Sequence, residues 1–375
     1  LHRAATVRRR GGGGKRDAAR TPRTIAGAAS GACDNPAAMR LDDRFDDLVM
    51  SLGGFYRAWL VYLGLELGFV RALHDAGEDG LHVEALAAAT DTRPGPVEVW
   101  AWAADAHGLA RFEDGRLAIE PEIAAILLDE QLPEFLGGQF VHAVVASMDW
   151  AAMPAFFRTE RPFRERPDRY RAAIERLTVQ DVAVFFQEVL AALPELVAEL
   201  ARGGRAVDVH CGGGRWLIAM AQRFPALELV GVEFEPDSVA RARANVAAAG
   251  LEDRIRIKEA DVDRPADAGR FDLAYFQYAL HSLSDPPRAL AAAWEGLRDG
   301  GRLLVLDWPL PSNVDEFRTR HGELIAGVQL DELFQGTRLA TREQFAAWFD
   351  AAGLGAPHVI DLPSGASLFV LVRAG

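Results

Sequence analysis

Cysteine is scarce in this chain. Cys33 and Cys211 are the two in 375 residues, too few for a disulfide framework or a thiolate zinc cluster. A reducing cytoplasm is the compartment this implies. Unbroken apolar runs of 18 or more residues are also missing, so no membrane span is expected. The longest apolar stretch, WLVYLGLELGFV, is interrupted by Glu66 and reads as a buried helix. Positive charge is short as well: 41 Lys and Arg stand against 54 Asp and Glu. Nine of the basic residues fall in the first 40 with only two Asp, which leaves a net charge of −20 on the remainder. A surface that acidic repels phosphate backbones and anionic bilayers, so it predicts no nucleic acid and no membrane partner. A small neutral or cationic molecule fits better.

Lysine is nearly absent, with Lys15 and Lys258 the only two. Arg, Gly and Ala dominate residues 1–38, which lack apolar periodicity and are expected to be disordered. An export signal would need an apolar stretch after the arginines, and none follows. The segment reads instead as an upstream extension, with Met39 as the initiator.

From Leu41 to about Ala76 apolar residues recur at helical spacing, among them Phe45, Leu48, Val49, Leu52 and Phe55. A helix, a turn, a second helix near 94–107 and a hairpin tipped by Asp114-Gly115 follow, which is a winged-helix pattern. The second helix carries Trp100, Trp102, Glu98 and Asp105 and no Lys or Arg. A helix that reads DNA needs donors and cations, so this one predicts a packing or dimer surface. Residues 121–203 read as mostly helical and rich in aromatics, a lid and linker.

After Gly204 strands and helices alternate. Strands are expected near 205–210, 228–233, 254–258, 271–276 and 301–307, with helices near 214–223, 236–249, 286–298 and 342–352. Asp285 before Pro286 marks an N-cap, Thr341 with Gln344 a capping box, and Asp299-Gly300-Gly301 a helix end. The chain closes on a hairpin whose last strand runs antiparallel to its neighbour.

The segment AVDVHCGGGRW, residues 206–216, is a strand entering a glycine turn and a helix. Such a turn aims backbone N–H groups at a ligand. No Gly-Lys-Ser/Thr is present for a P-loop, and Leu217 occupies the third glycine position of a dinucleotide fingerprint. Asp208 ahead of the turn would repel a pyrophosphate and suit a cation. VDVHCGGG resembles the D-x-G-x-G-x-G motif of class I S-adenosylmethionine-dependent methyltransferases. LVGVEFEP, IRIKEADV, FDLAYFQYALHSLSDPPRAL and LRDGGRLLVLDWP resemble the later motifs in order, over residues 180–375. The N-terminal pattern is similar in architecture to the small-molecule O-methyltransferase branch.

The resemblance implies an α/β fold: a Rossmann-like, seven-stranded, doubly wound sheet with an antiparallel last strand, plus a helical winged-helix domain. It places boundaries at 1–38, 39–125, 126–203 and 204–375. It implies a homodimer that takes S-adenosylmethionine and a small phenolic or polyketide-like acceptor. For the donor it implies Asp208, His210, Gly212, Gly214, Glu233 with Phe234 at the ribose, Asp261 with Val262 at the adenine, and Gln277 at the methionine part. His281 is the expected base, although Ser282 follows it where plant-type enzymes carry Asp. His142, Trp150, Asp307 and Trp308 are expected near the acceptor, and Asp307 could orient His281. His142 and His321 with His281 could in principle hold a metal, but none is expected. His210 departs from the family's glycine. A donor-binding regulator without turnover, or methylation at carbon or nitrogen, are the competing readings.

Overall fold

A computed structural model describes residues 41–262 and 270–374. Expectations placed on residues 1–38, Met39 and Cys33 lie outside the described residues. The chain divides into two compact units at Met50/Ser51. In the first, residues 41–50 are helical. The second unit carries everything that follows.

The helix expected as one stretch to Ala76 is two, Leu41–Glu66 and Phe69–Ala76. Gly68, at φ 76°, breaks them with a left-handed residue that periodicity does not register. WLVYLGLELGFV is buried along one face only, through Val61, Gly64, Phe69 and Val70, while Leu63 and Leu67 are exposed. The stretch Asp43–Glu66 is long and apolar enough, by length and composition alone, to cross a membrane. The expectation of a buried helix is corrected accordingly.

Strand β1 (Leu81–His82), helices Val83–Ala89 and Pro94–Ala106, and the hairpin of β2 (Arg111–Glu113) and β3 (Arg116–Ala118) form the winged-helix arrangement, with sheet order β1-β3-β2. Asp114 and Gly115, both at positive φ, make its turn. Phe69, Leu73, Leu86, Trp100 and Leu117 fill its core. Trp102 points the other way and is exposed. Residues 121–201 are mostly helical, as the sequence predicts, and include a π turn at Phe185–Val189.

The main sheet runs β6-β5-β4-β7-β8-β10-β9. Its members are β4 (Gly204–Val209), β5 (Leu227–Glu233), β6 (Ile255–Glu259), β7 (Phe271–Gln277), β8 (Leu297–Asp307), β9 (His358–Asp361) and β10 (Ser367–Val372). Strands β4 to β8 pair in parallel, and β10 is antiparallel to both of its neighbours. Side chains alternate between two cores, Ala206, Leu229, Leu273 and Leu304 on one face and Val207, Val230, Ala274 and Leu303 on the other. That period of two, apolar on both sides, is what a doubly covered sheet requires. The Asp285 cap and the Thr341–Gln344 capping box form as the sequence predicts. Asp299-Gly300-Gly301 does not end a helix: the helix stops at Gly296 and these residues belong to β8, whose register shifts against Phe271 and Leu273. Strand order reverses between β4 and β7, so the carboxyl ends of these strands frame the crevice where such sheets take ligands.

Candidate active site

Asp208 lies near the carboxyl end of β4, and the turn His210–Gly214 follows. The amides of His210 and Cys211 both donate to the Val232 carbonyl, at 2.8 and 3.1 Å, which pins the turn to β5. His210, Gly212 and Gly214 have φ of 65°, 52° and 72°. Glycine adopts that geometry freely; histidine does so at a cost. Gly231 on β5 makes the close approach feasible, because a Cβ there would lie 2.6 Å from Cys211 Sγ. Burial pushes the Cys211 thiol well above its ordinary range, so it packs and does not react.

The turn encloses a cavity of about 260 Å³ lined by Asp208, His210, Gly212, Asp181, Trp216 and Gln277, among others. Asp208 is 3% exposed. Burial, with the Glu233 carboxylate acting in the same direction, pushes it up to about 8. Asp181 was not foreseen from the sequence. Burial raises it to about 7, against the hydrogen bond from Gln277 and the nearby Arg215. The other amide atom of Gln277, Oε1, is buried without a partner. Two acids that resist ionisation and one unused acceptor therefore face the same small space. A cationic ligand would relieve all three.

Glu233 lies behind the turn and is fully buried. Its carboxylate accepts from the backbone N–H of Gly212, Phe234 and Glu235 at 3.0, 2.9 and 3.0 Å. His210 Nδ1 sits 3.1 Å from its Oε1 and 3.0 Å from its Oε2. Burial alone would raise this carboxyl, but the His210 bond and the amides hold it below the usual range. Phe234 stacks on the His210 ring, centroids 5.0 Å apart. Asp261 is exposed and Val262 packs partly against a core cluster; neither lines the cavity.

His281 stands on a 3₁₀ turn after β7. Its Nδ1 lies 3.0 and 2.9 Å from the two oxygens of Asp307, which is 1% exposed at the end of β8. Burial lowers the basicity of the imidazole, but the Asp307 charge and hydrogen bond outweigh it and push it up to about 9. Ser282 turns back to the Ala279 carbonyl at 2.7 Å, so the orienting acid comes from β8 and not from the next residue. His281 lines a second cavity of about 1010 Å³ with Phe156, Phe157, Arg164, Leu333 and Arg338. Glu235 lines both cavities, so they adjoin. The aromatic-rich middle segment pointed toward these liners without sorting them.

The other residues expected near the acceptor go elsewhere. Trp308 packs on Tyr278, centroids 4.9 Å apart. His142 packs on Tyr170, and burial lowers its basicity. Trp150 donates to Asp331 at 3.0 Å. Both belong to a buried network in which Arg166 pairs with Asp149 and Asp331 at 3.1 and 3.2 Å, and the Tyr170 hydroxyl donates to Asp331 at 2.8 Å. Among the described residues no three His, Cys, Asp or Glu converge as metal ligands.

Residues 183–357 match the family model for a methyltransferase domain. A demethylmenaquinone methyltransferase of Thermus thermophilus is 35% identical over 108 residues, 28% of this chain and 48% of that protein. The chain thus spans about half the length of the curated relatives it matches. The solved structure of the mitomycin 7-O-methyltransferase MmcR superposes at a TM-score of 0.65 and 20% identity, over 89% of this chain and 98% of that one. PigF with SAH gives 0.67 and 20%, over 89% and 99%. Residues 183–357 therefore match a methyltransferase domain, in a chain that shares its fold with the solved structures of MmcR and PigF.

Proposed function

We propose that this chain moves a methyl group from S-adenosylmethionine to a hydroxyl of a small molecule, phenolic or polyketide-like in class. The single observation that carries the reading is the His281–Asp307 pair at a cavity adjoining the acidic pocket under the glycine turn. When bound, the donor supplies a methyl on a positively charged sulfur, open to in-line displacement. Asp208 and Asp181 lose their protons to meet that ligand's positive charge, and the turn's backbone approaches it closely. His281 donates Nδ1–H to Asp307, which leaves Nε2 as the proton acceptor for the attacking hydroxyl. The fold shared with a mitomycin 7-O-methyltransferase supports an oxygen acceptor.

A homodimer is part of the same reading. Leu52, Phe55, Tyr56 and Leu63 on the first long helix, and Val99 and Trp102 on the helix Pro94–Ala106, are exposed apolar side chains. A subunit interface accounts for them better than a bilayer, given the acidic charge balance. We place the protein in the cytoplasm and keep the division at 1–38, 39–125, 126–203 and 204–375.

Turnover of a panel of phenols, with His281→Ala beside the unmodified chain, tests the proposal. We expect turnover that the variant loses while its affinity for S-adenosylhomocysteine holds. Tight donor binding without turnover across the panel would favour a sensor. Equal turnover by the variant would remove His281 as the base.

A further inference from the structure

The acid expected at the ribose is occupied. Glu233 is fully buried, its two oxygens take three backbone amides, and His210 covers what remains. A carboxylate offers about four acceptor positions, so none is left for a ligand hydroxyl. An ionised carboxylate only accepts; His210 Nδ1 must therefore carry the proton it shares with Glu233. With Nδ1–H turned to Glu233, the remaining nitrogen, Nε2, is the ring's one site for an acceptor lone pair. The ring is fixed in place from a second side by the Phe234 stack, and His210 lines the donor cavity where Glu233 does not.

We propose that His210 has taken over the sugar-recognising role at the end of β5, its Nε2 accepting a ribose hydroxyl of the donor while Glu233 orients the ring from behind. The strained backbone is consistent with such a role. A non-glycine residue at φ 65° on a turn that otherwise uses glycine is retained at a cost. In this arrangement Glu233 is a positioning residue and His210 the contact.

The inference rests on the donor reading above, and its test separates the two. Titration calorimetry would compare S-adenosylhomocysteine with its 3′-deoxy and 2′-deoxy analogues, on the unmodified chain and on His210→Phe. Phenylalanine keeps the ring on Phe234 and the cover over Glu233 but removes the acceptor. The unmodified chain should prefer the full ribose over one of the analogues by about tenfold, the worth of one hydrogen bond. In His210→Phe that preference should fall below about twofold. His210→Gly, the family's residue, should keep it, because the Glu233 carboxylate is then uncovered. If His210→Phe gives no cooperative melt, His210→Leu carries the same expectation. Undiminished preference in His210→Phe or His210→Leu overturns the inference while leaving the donor reading intact. Failure of S-adenosylhomocysteine to bind the unmodified chain overturns both.

Discussion

Two groups of buried acids in this molecule face opposite ways. In the helices outside the main sheet, Asp149 and Asp331 share Arg166, and Asp331 also takes the Tyr170 hydroxyl and the Trp150 indole. The Arg166 guanidinium lies 3.7 Å from the Tyr170 ring centroid. Under the glycine turn, among the described residues, the charge acting on Asp208 is another carboxylate, Glu233, and Asp181 has the neutral Gln277 amide and Arg215, with Asp307 acting against them. The first group is complete within the chain and fastens helices to each other. The second is incomplete, and its deficit is the shape of a ligand. Burial alone does not separate structural from functional acids; whether the protein provides the counter-charge does.

Removing His281 gives the largest expected effect. His281→Ala should lower kcat by about 10²–10⁴-fold, with S-adenosylhomocysteine affinity unchanged by calorimetry. Next is the Arg166 network. Arg166→Met strands two buried carboxylates and should cost about 3–5 kcal/mol in denaturant unfolding. Replacing Arg166, Asp149 and Asp331 together with apolar residues should recover most of that loss, which would mark the network as structural.

Asp208→Asn should weaken S-adenosylmethionine by roughly a hundredfold, about 2.7 kcal/mol. It should also raise the melting temperature near pH 8. An acid whose folded pKa is raised, here from 3.8 to about 8, keeps its proton when folded and loses it when unfolded. Its drag on stability grows as pH rises from 3.8 and levels off above about 8, so the neutral amide is favoured there. The smallest effect is on the pH profile. Since the His281 imidazole is pushed up to about 9, kcat/KM should rise from pH 7 and inflect near 9. Asp307→Asn should move the inflection to lower pH.

The sequence conveyed most of what backbone pattern determines. Period-two apolar strands, the Asp285 cap, the Thr341 capping box and the ordered motifs are local signals, and each has a local cause. Contacts over long separations were not legible. Asp331 meets Arg166 across 165 positions, and Asp181 reaches the cavity from a helix preceding β4. Nothing in the neighbours of either residue marks it. His142 and Trp150, read from the sequence as acceptor residues, are not among the residues lining the His281 cavity; they contact Tyr170 and Asp331. His210 was legible as an anomaly. Its direction was not, because that depends on how Phe234 and Glu233 close over the turn.

Calorimetry of S-adenosylmethionine binding at pH 7, in two buffers of different ionisation enthalpy, tests the central claim directly. If Asp208 and Asp181 wait partly protonated for a cation, complex formation should expel about one proton. Binding that releases none, or takes one up, would contradict it.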